Sequence, residues 1–340
     1  MSEFAVVGID LGKNVFHVVA MDVQGHIVKR RKYTRPQLFA LFRSLPPCLV
    51  GMEACASAHY IARTLTELGH DARLMPAQYV KPYLRTQKND FLDAEAICEA
   101  VQRPTMRFVP IKTREQLELQ AVHRVRDRLV GRRTAVSNQI RGLLVEHGIT
   151  MRQGRGGLRG VVQNLLEEEN TTVSPAMRTL ISGLWAEWQS TDAAVRTLTQ
   201  ELEALAKKDP ACQRLMTVPG VGPLVATATI AAVADGSAFG RGRDFATWLG
   251  LVPRQMSTGG RTRLGGITKR GNTYLRRMFI HGARSFKMNG NRSTHRIGTW
   301  LNDLEQRTHK NIATVALANK LARIAWSVLA NETEYRSLPA

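Results

Sequence analysis

Ala5-Val6-Val7-Gly8-Ile9-Asp10 is an apolar run that stops on a carboxylate. A short uncharged run of this kind reads as a buried strand. Working outward, Val15 to Asp22 and His26 to Tyr33 read as two more strands, with Gln24-Gly25 as a hairpin-like turn. Pro36 to Leu45 reads as a short helix. Cys48-Leu49-Val50-Gly51-Met52 is a fourth strand, and it stops on Glu53. Ala58 to Leu68 reads as a helix closed by Gly69, a residue that suits a C-cap, and Ala72 to Leu74 as a fifth strand. Three meandering strands followed by β–α units predict a mixed sheet with helices packed on it, an α/β domain.

Two more acids follow in Lys88-Asn89-Asp90-Phe91-Leu92-Asp93-Ala94-Glu95-Ala96. Asp90 and Asp93 are three apart, so they share one face at the start of a helix. Taken singly, Asp10 caps a turn before Gly12, while Asp90 and Asp93 favour a helix N-terminus. As a set of four on the ends of core elements, Asp10, Glu53, Asp90 and Asp93 offer the hard oxygen ligands that a divalent cation needs. Two such cations can hold the attacking and leaving oxygens of a phosphoryl displacement. Asp10-Leu11-Gly12-Lys13-Asn14 also resembles the phosphate turn of actin-like sugar kinases. That fold requires second and third phosphate motifs, and the sequence carries neither.

The charge balance points the same way. The chain of 340 residues has 48 Lys+Arg against 28 Asp+Glu, a formal net charge of +20, so bare carboxylates need a reason. Such an excess fits a polyanionic partner, nucleic acid first, with a ribosome-like or membrane-surface binder as the alternative. No run of about 18 apolar residues is present, so no membrane span is expected. The N-terminus lacks the layout of a signal peptide. Cys48, Cys55, Cys98 and Cys212 form no C-x-x-C pair and read as reduced thiols of a cytosolic protein.

Beyond residue 108 the pattern turns helical. Val122, Val125, Leu129, Val136, Ile140 and Leu143 mark one stripe between Arg114 and His147, with arginines on the other faces and Gly148 as the stop. Gly154-Arg155-Gly156-Gly157 reads as a flexible basic loop. A second long helix is expected from Pro175 to Lys208, where Leu184, Trp188, Thr191, Val195, Leu198, Leu202 and Leu205 form a heptad seam. The two helices are expected to pair as an antiparallel coiled-coil arm or to join another subunit. Residues 211–330 read as a mostly helical domain with basic, Gly-rich loops.

Two segments of that domain suit phosphate. Val218-Pro219-Gly220-Val221-Gly222-Pro223 resembles a helix–hairpin–helix turn, in which Gly220 and Gly222 let backbone N–H groups approach an anion; a tight helical connection is the plain alternative. The stretch from Trp248 to Asn272 surrounds two hydroxyls, Ser257 and Thr258, with glycines and with Arg254, Arg261, Arg263, Lys269 and Arg270. Guanidinium groups clamp phosphate oxygens, and a serine attacks phosphorus where a metal or base takes its proton. On residues alone Ser257 reads first as a phosphate-contacting hydroxyl and second as a nucleophile.

Together Gly8-Ile9-Asp10, Met52-Glu53, Lys88-Asn89-Asp90 with Asp93-Ala94, Val218-Pro219-Gly220-Val221-Gly222 and the Ser257-to-Gly271 segment resemble the DEDD transposases of bacterial insertion sequences. That group includes the Piv-like invertases and the RNA-guided bridge recombinases. The resemblance implies a RuvC-like, ribonuclease-H-type α/β N-terminal domain (1–108), a helical coiled-coil arm and linker (109–210), a mainly α C-terminal transposase domain (211–330) and a tail (331–340). It implies Mg²⁺, or Mn²⁺, held by Asp10, Glu53, Asp90 and Asp93. Ser257 would be the nucleophile of a phosphoserine intermediate, with Thr258 as the alternative. The expected partners are donor and target DNA, a guide (bridge) RNA and further copies of the chain as a dimer or tetramer. The expected setting is the bacterial cytoplasm, at the nucleoid.

Overall fold

Gly8 of β1 (Val6–Leu11) and Gly51 of β4 (Leu49–Glu53) lie side by side in register, and both face a helix that a side chain would push away. A Cβ on Gly8 would sit 2.1 Å from the Ala94 carbonyl oxygen, and one on Gly51 would press on Ile97 and Val101. The computed structural model describes residues 4–84, 89–152, 154–167, 172–293 and 295–336. Lys88, part of the motif quoted above, lies outside them. The chain divides into two compact units, Met1–Arg114 and Glu115–Ala340.

The first unit is a five-stranded mixed sheet in the order β3-β2-β1-β4-β5, with β2 (Val15–Met21), β3 (Ile27–Thr34) and β5 (Asp71–Met75). β1, β2 and β3 meander antiparallel, whereas β4 and β5 run parallel to β1. Parallel neighbours need crossovers, which α1 (Arg35–Ser44) and α2 (Ala58–Glu67) supply. Thr34 and Gln37 close a capping box at the start of α1. One sheet face (Val7, Ile9, Phe16, Val18) packs on Leu38, Phe42, Ile61 and Leu65 of α1 and α2. The other (Val6, Val19, Met21) packs on α4 (Asp90–Val101), reached through the short α3 (Ala77–Val80). All five expected strands are present, with bounds shifted by at most one residue.

In the second unit α5 (Arg114–Val145) and α7 (Pro175–Lys208) run antiparallel. Arg126 bonds Thr199, Arg133 bonds Asp192 at 2.6 Å, and the Trp188 indole donates to Ser137 at 2.8 Å, so rising numbers on one helix meet falling numbers on the other. Val136, Ile140 and Leu144 meet Ile181, Trp185 and Trp188, with Leu158 and Val162 of α6 (Arg155–Leu165) closing the end. The seam departs from the expected heptads. Val125 is 44% and Leu205 42% exposed, while His123 and Asp192 turn inward. The reason is local: Asp192 finds Arg133 across the seam, and His123 finds Tyr274 and Thr227 of the helical core beyond it.

The rest of this unit is a helical core of α8 (Pro210–Met216), α9 (Pro223–Val233), α10 (Gly242–Trp248), α11 (Thr273–Asn289), α12 (Arg296–Arg307) and α13 (Lys310–Ala330). By length and composition α13 passes for a membrane span, but its Leu317, Ala318, Leu321 and Ala322 are core residues against α11 and α10. The segment expected as a basic loop is instead an exposed antiparallel hairpin, β6 (Pro253–Thr258) and β7 (Arg261–Ile267). Its turn places Gly259 and Gly260 at φ +54° and +75°, the geometry that a two-residue turn between twisted strands demands and glycine alone adopts freely.

Candidate active site

Asp10 is two residues beyond Gly8 on β1 and therefore faces the same side of the sheet, toward the first turn of α4. The Asn89 side chain accepts from the Phe91 N–H at 2.9 Å and caps that helix, which fixes where Asp90 and Asp93 begin. Carboxylate oxygens of Asp10, Asp90 and Asp93 all lie within 4.8 Å of one another. Glu53, at the end of the neighbouring β4, falls outside that set of three, yet its carboxyl senses both Asp10 and Asp93. The structure thus brings together three of the four expected acids and holds the fourth beside them.

Crowding has an electrostatic consequence. Burial first, then the charges of Asp93 and Asp90, raise the Asp10 carboxyl above the ordinary range, against the pull of His17 and the Leu11 N–H. Burial first, then Asp10 and Asp93, raise Glu53 likewise. Among the described residues none of the four acids has a Lys or Arg ion-pair partner, in a chain of net charge +20. Clustered oxygens without a cation of their own are the donor set of a hard divalent metal, and the residues fit one.

Beside them, among the described residues, stands an imidazole that the sequence reading passed over. His17 on β2 stands opposite Asp10 in the β1–β2 register. Its Nδ1 lies 3.7 Å from Asp10 and its Nε2 3.4 Å from Asp90. The ring is buried edge-on against Phe91, and Nδ1 has no hydrogen-bond partner. The signal in the sequence was the short Gly12–Val15 connection, across which Leu11 pairs with Phe16 and so Asp10 with His17.

Ser257 and Thr258 sit on β6, and both are exposed. Ser257 Oγ accepts from Gln255 Nε2 at 2.9 Å and lies 3.2 Å from Thr262 Oγ1. Directly paired residues share a face, so Ser257 faces with Gln255, Thr262 and Leu264, while Thr258, Met256, Arg261 and Arg263 occupy the other face. The expected ring of guanidinium groups around Ser257 is thus split by the pleat of the ribbon. Arg254 lies exposed at the base of β6, and Lys269 and Arg270 follow β7, with Lys269 at φ +56°. Buried Arg276 secures that base, donating to the carbonyls of Leu249 at 2.9 Å and Arg270 at 3.0 Å. No imidazole or carboxylate bonds Ser257 Oγ within this unit, among the described residues.

The two glycines of the Pro-Gly-Val-Gly-Pro turn differ. Gly220, at φ +79°, packs backbone to backbone on Gly282 of α11, where a Cβ would come within 2.6 Å of the Gly282 carbonyl oxygen. That is an internal contact. Gly222 caps α9 in open space.

Comparison with known proteins gives matches in both units. Residues 7–149 match the DEDD transposase family model of the IS110 type, and residues 212–296 match the IS116/IS110/IS902 transposase family. A Pseudomonas aeruginosa protein described as "Probable family 20 transposase" is 49% identical, over 97% of this chain and 98% of its own. The transposase for insertion sequence element IS1111A of Coxiella burnetii is 40% identical over 99% of this chain and 92% of its own. That for IS1328 of Yersinia enterocolitica is 39% identical over 98% and 99%.

Proposed function

The chain belongs to the IS116/IS110/IS902 family of transposases, enzymes that cut and rejoin DNA, and from that premise we propose a metal-assisted recombinase with a serine nucleophile. Its first unit is read as a RuvC-like, ribonuclease-H-type domain whose Asp10, Asp90, Asp93 and Glu53 hold Mg²⁺ or Mn²⁺. The observation that carries the reading is the convergence of three carboxylates within 4.8 Å on the end of β1 and the start of α4. A bound Mg²⁺ supplies Lewis-acid stabilisation of the charge that develops on the phosphate.

In this reading Ser257 Oγ bonds to phosphorus as one P–O bond of the DNA backbone breaks, and the serine proton ends on the departing DNA oxygen. A hydroxyl of the partner strand then attacks the phosphoserine and returns Oγ to its starting state. No bond energy is lost, so strand exchange needs no ATP. Gln255 and Thr262 hold the serine oxygen through hydrogen bonds. Arg254, Arg261, Arg263, Lys269, Arg270 and the Gly222 turn supply phosphate contacts. Because no imidazole or carboxylate bonds Ser257 among the described residues of its own unit, the reading includes assembly of a dimer or tetramer with donor and target DNA. A guide RNA would read the sequence by base pairing, at the bacterial nucleoid.

The test is covalent trapping on duplex DNA carrying the element's ends. Denatured reaction mixtures should yield a protein–DNA adduct whose digested peptide carries phosphate on Ser257, and Ser257→Ala should lose adduct and recombination while binding DNA within about twofold of wild type. An adduct on Thr258 would reassign the nucleophile. Strand cleavage that survives Ser257→Ala would mean a nuclease using metal-bound water instead.

A further inference from the structure

The strand ladder extends the acid cluster sideways. Asp10 pairs with His17, and His17 pairs with Lys32 on β3. Residues paired directly across strands share a face, so acid, imidazole and ammonium form one row that ends at the outer edge of the sheet. At about 4.8 Å per strand, Lys32 begins roughly 10 Å from Asp10. On the same face, one step along, Arg30 is committed to Glu95 at 2.8 Å. Lys32 is exposed, its Nζ rests 5.9 Å from the Phe91 ring centroid, and it has no carboxylate partner among the described residues. Its neighbour Arg31 is equally exposed but points to the opposite face, beside Tyr33.

We propose that Lys32 anchors a DNA phosphate a few nucleotides from the one at the acids, so that edge strand β3 forms the outer rail of the DNA-cutting face. This rests on the reading that the acid cluster marks that face. The geometry suits the task. One strand of duplex DNA advances about 3.4 Å along the axis per phosphate, so an offset of roughly 10 Å, where it runs along that axis, covers about three phosphates. An unpaired ammonium at that point meets the backbone where the carboxylates alone would repel it. Phe91, packed on His17 and flanked by Lys32, sets the height of the rail.

The experiment uses the full chain and a fluorescein-labelled duplex of mixed sequence, with affinity read by anisotropy across a salt series in EDTA. Lys32→Gln should lower affinity several-fold at low salt and flatten the slope of log affinity against log salt by about 0.9, the signature of one lost phosphate contact. Lys32→Met, which keeps the stem against Phe91, should do the same, and Lys32→Arg should keep the wild-type slope. Arg31→Gln removes an equal charge from the same strand and should leave the slope unchanged. An unaltered slope in Lys32→Gln, or an equal loss in Arg31→Gln, overturns the proposal. The assay contains no free metal, so a failure of the metal reading would show separately, as absent Mn²⁺ binding with the Lys32 effect intact.

Discussion

His17 stands directly across the β1–β2 ladder from Asp10, with its other ring nitrogen 3.4 Å from Asp90. It links the one cluster acid carried by the sheet to one carried by α4. Groups that orient ligands from behind typically change metal affinity by about 10- to 100-fold when removed. His17→Ala should therefore weaken Mn²⁺ binding at least about tenfold by titration calorimetry, with the thermal midpoint in EDTA close to wild type. Unchanged affinity would reduce His17 to packing against Phe91.

Asp10→Asn should do two opposite things. A carboxyl whose folded pKa is raised adds stability only below its ordinary range, and that contribution is lost as pH rises through the raised value. At neutral pH the ionised cluster is therefore repulsive. In EDTA the amide should raise the melting midpoint by roughly 1–3 °C, yet abolish the stabilisation that Mg²⁺ is expected to give the wild type. A variant still stabilised by Mg²⁺ would exclude Asp10 as a ligand.

His123 gives a pH dependence of the other sign. Burial first, then Arg126, push its pKa down to about 4, and it is neutral between Tyr274 and Thr227. A depressed histidine contributes stability that is present above about 6.5 and lost as pH falls toward 4. Urea denaturation should show a loss of roughly 2 kcal/mol between pH 7 and pH 5. His123→Gln should flatten that slope.

Arg276 should matter to the hairpin more than its position on α11 suggests. Arg276→Met leaves the Leu249 and Arg270 carbonyls without a buried donor, at about 1–3 kcal/mol each. Proteolysis between Gly250 and Gly271 should accelerate, and recombination and DNA affinity should fall together. Equal protease rates would show that the hairpin base is held by other contacts.

Gly220→Ala tests the turn of the Pro-Gly-Val-Gly-Pro motif. The Cβ would meet the Gly282 carbonyl at 2.6 Å from a backbone at φ +79°, so the melting midpoint should drop by several degrees. Gly222→Ala, in open space, should cost little stability and report on DNA binding alone.

Much of this was legible along the chain. Apolar runs ending on Asp10 and Glu53 gave both strands and acids, because strand burial and ligand placement are written within six residues of each other. The α7 bounds, Pro175 to Lys208, were equally plain, since Ser174 and Pro175 mark the start and Asp209-Pro210 the stop. The β6–β7 hairpin was not. Its strands are exposed on both faces, so no hydrophobic alternation announces them, and the glycines that make its turn look like loop.

Local chemistry by itself determined the family and the order of elements in the first unit, and it singled out four acids as candidate ligands, because each is carried by a short motif. Tertiary structure decided the rest: that α4 can lie against β1 because Gly8 and Gly51 have no side chains, and that His17 and Lys32 join the row of Asp10. It also decided that the pleat parts Ser257 from Arg261 and Arg263. These depend on strand register and close backbone approach, which pairing between segments sets.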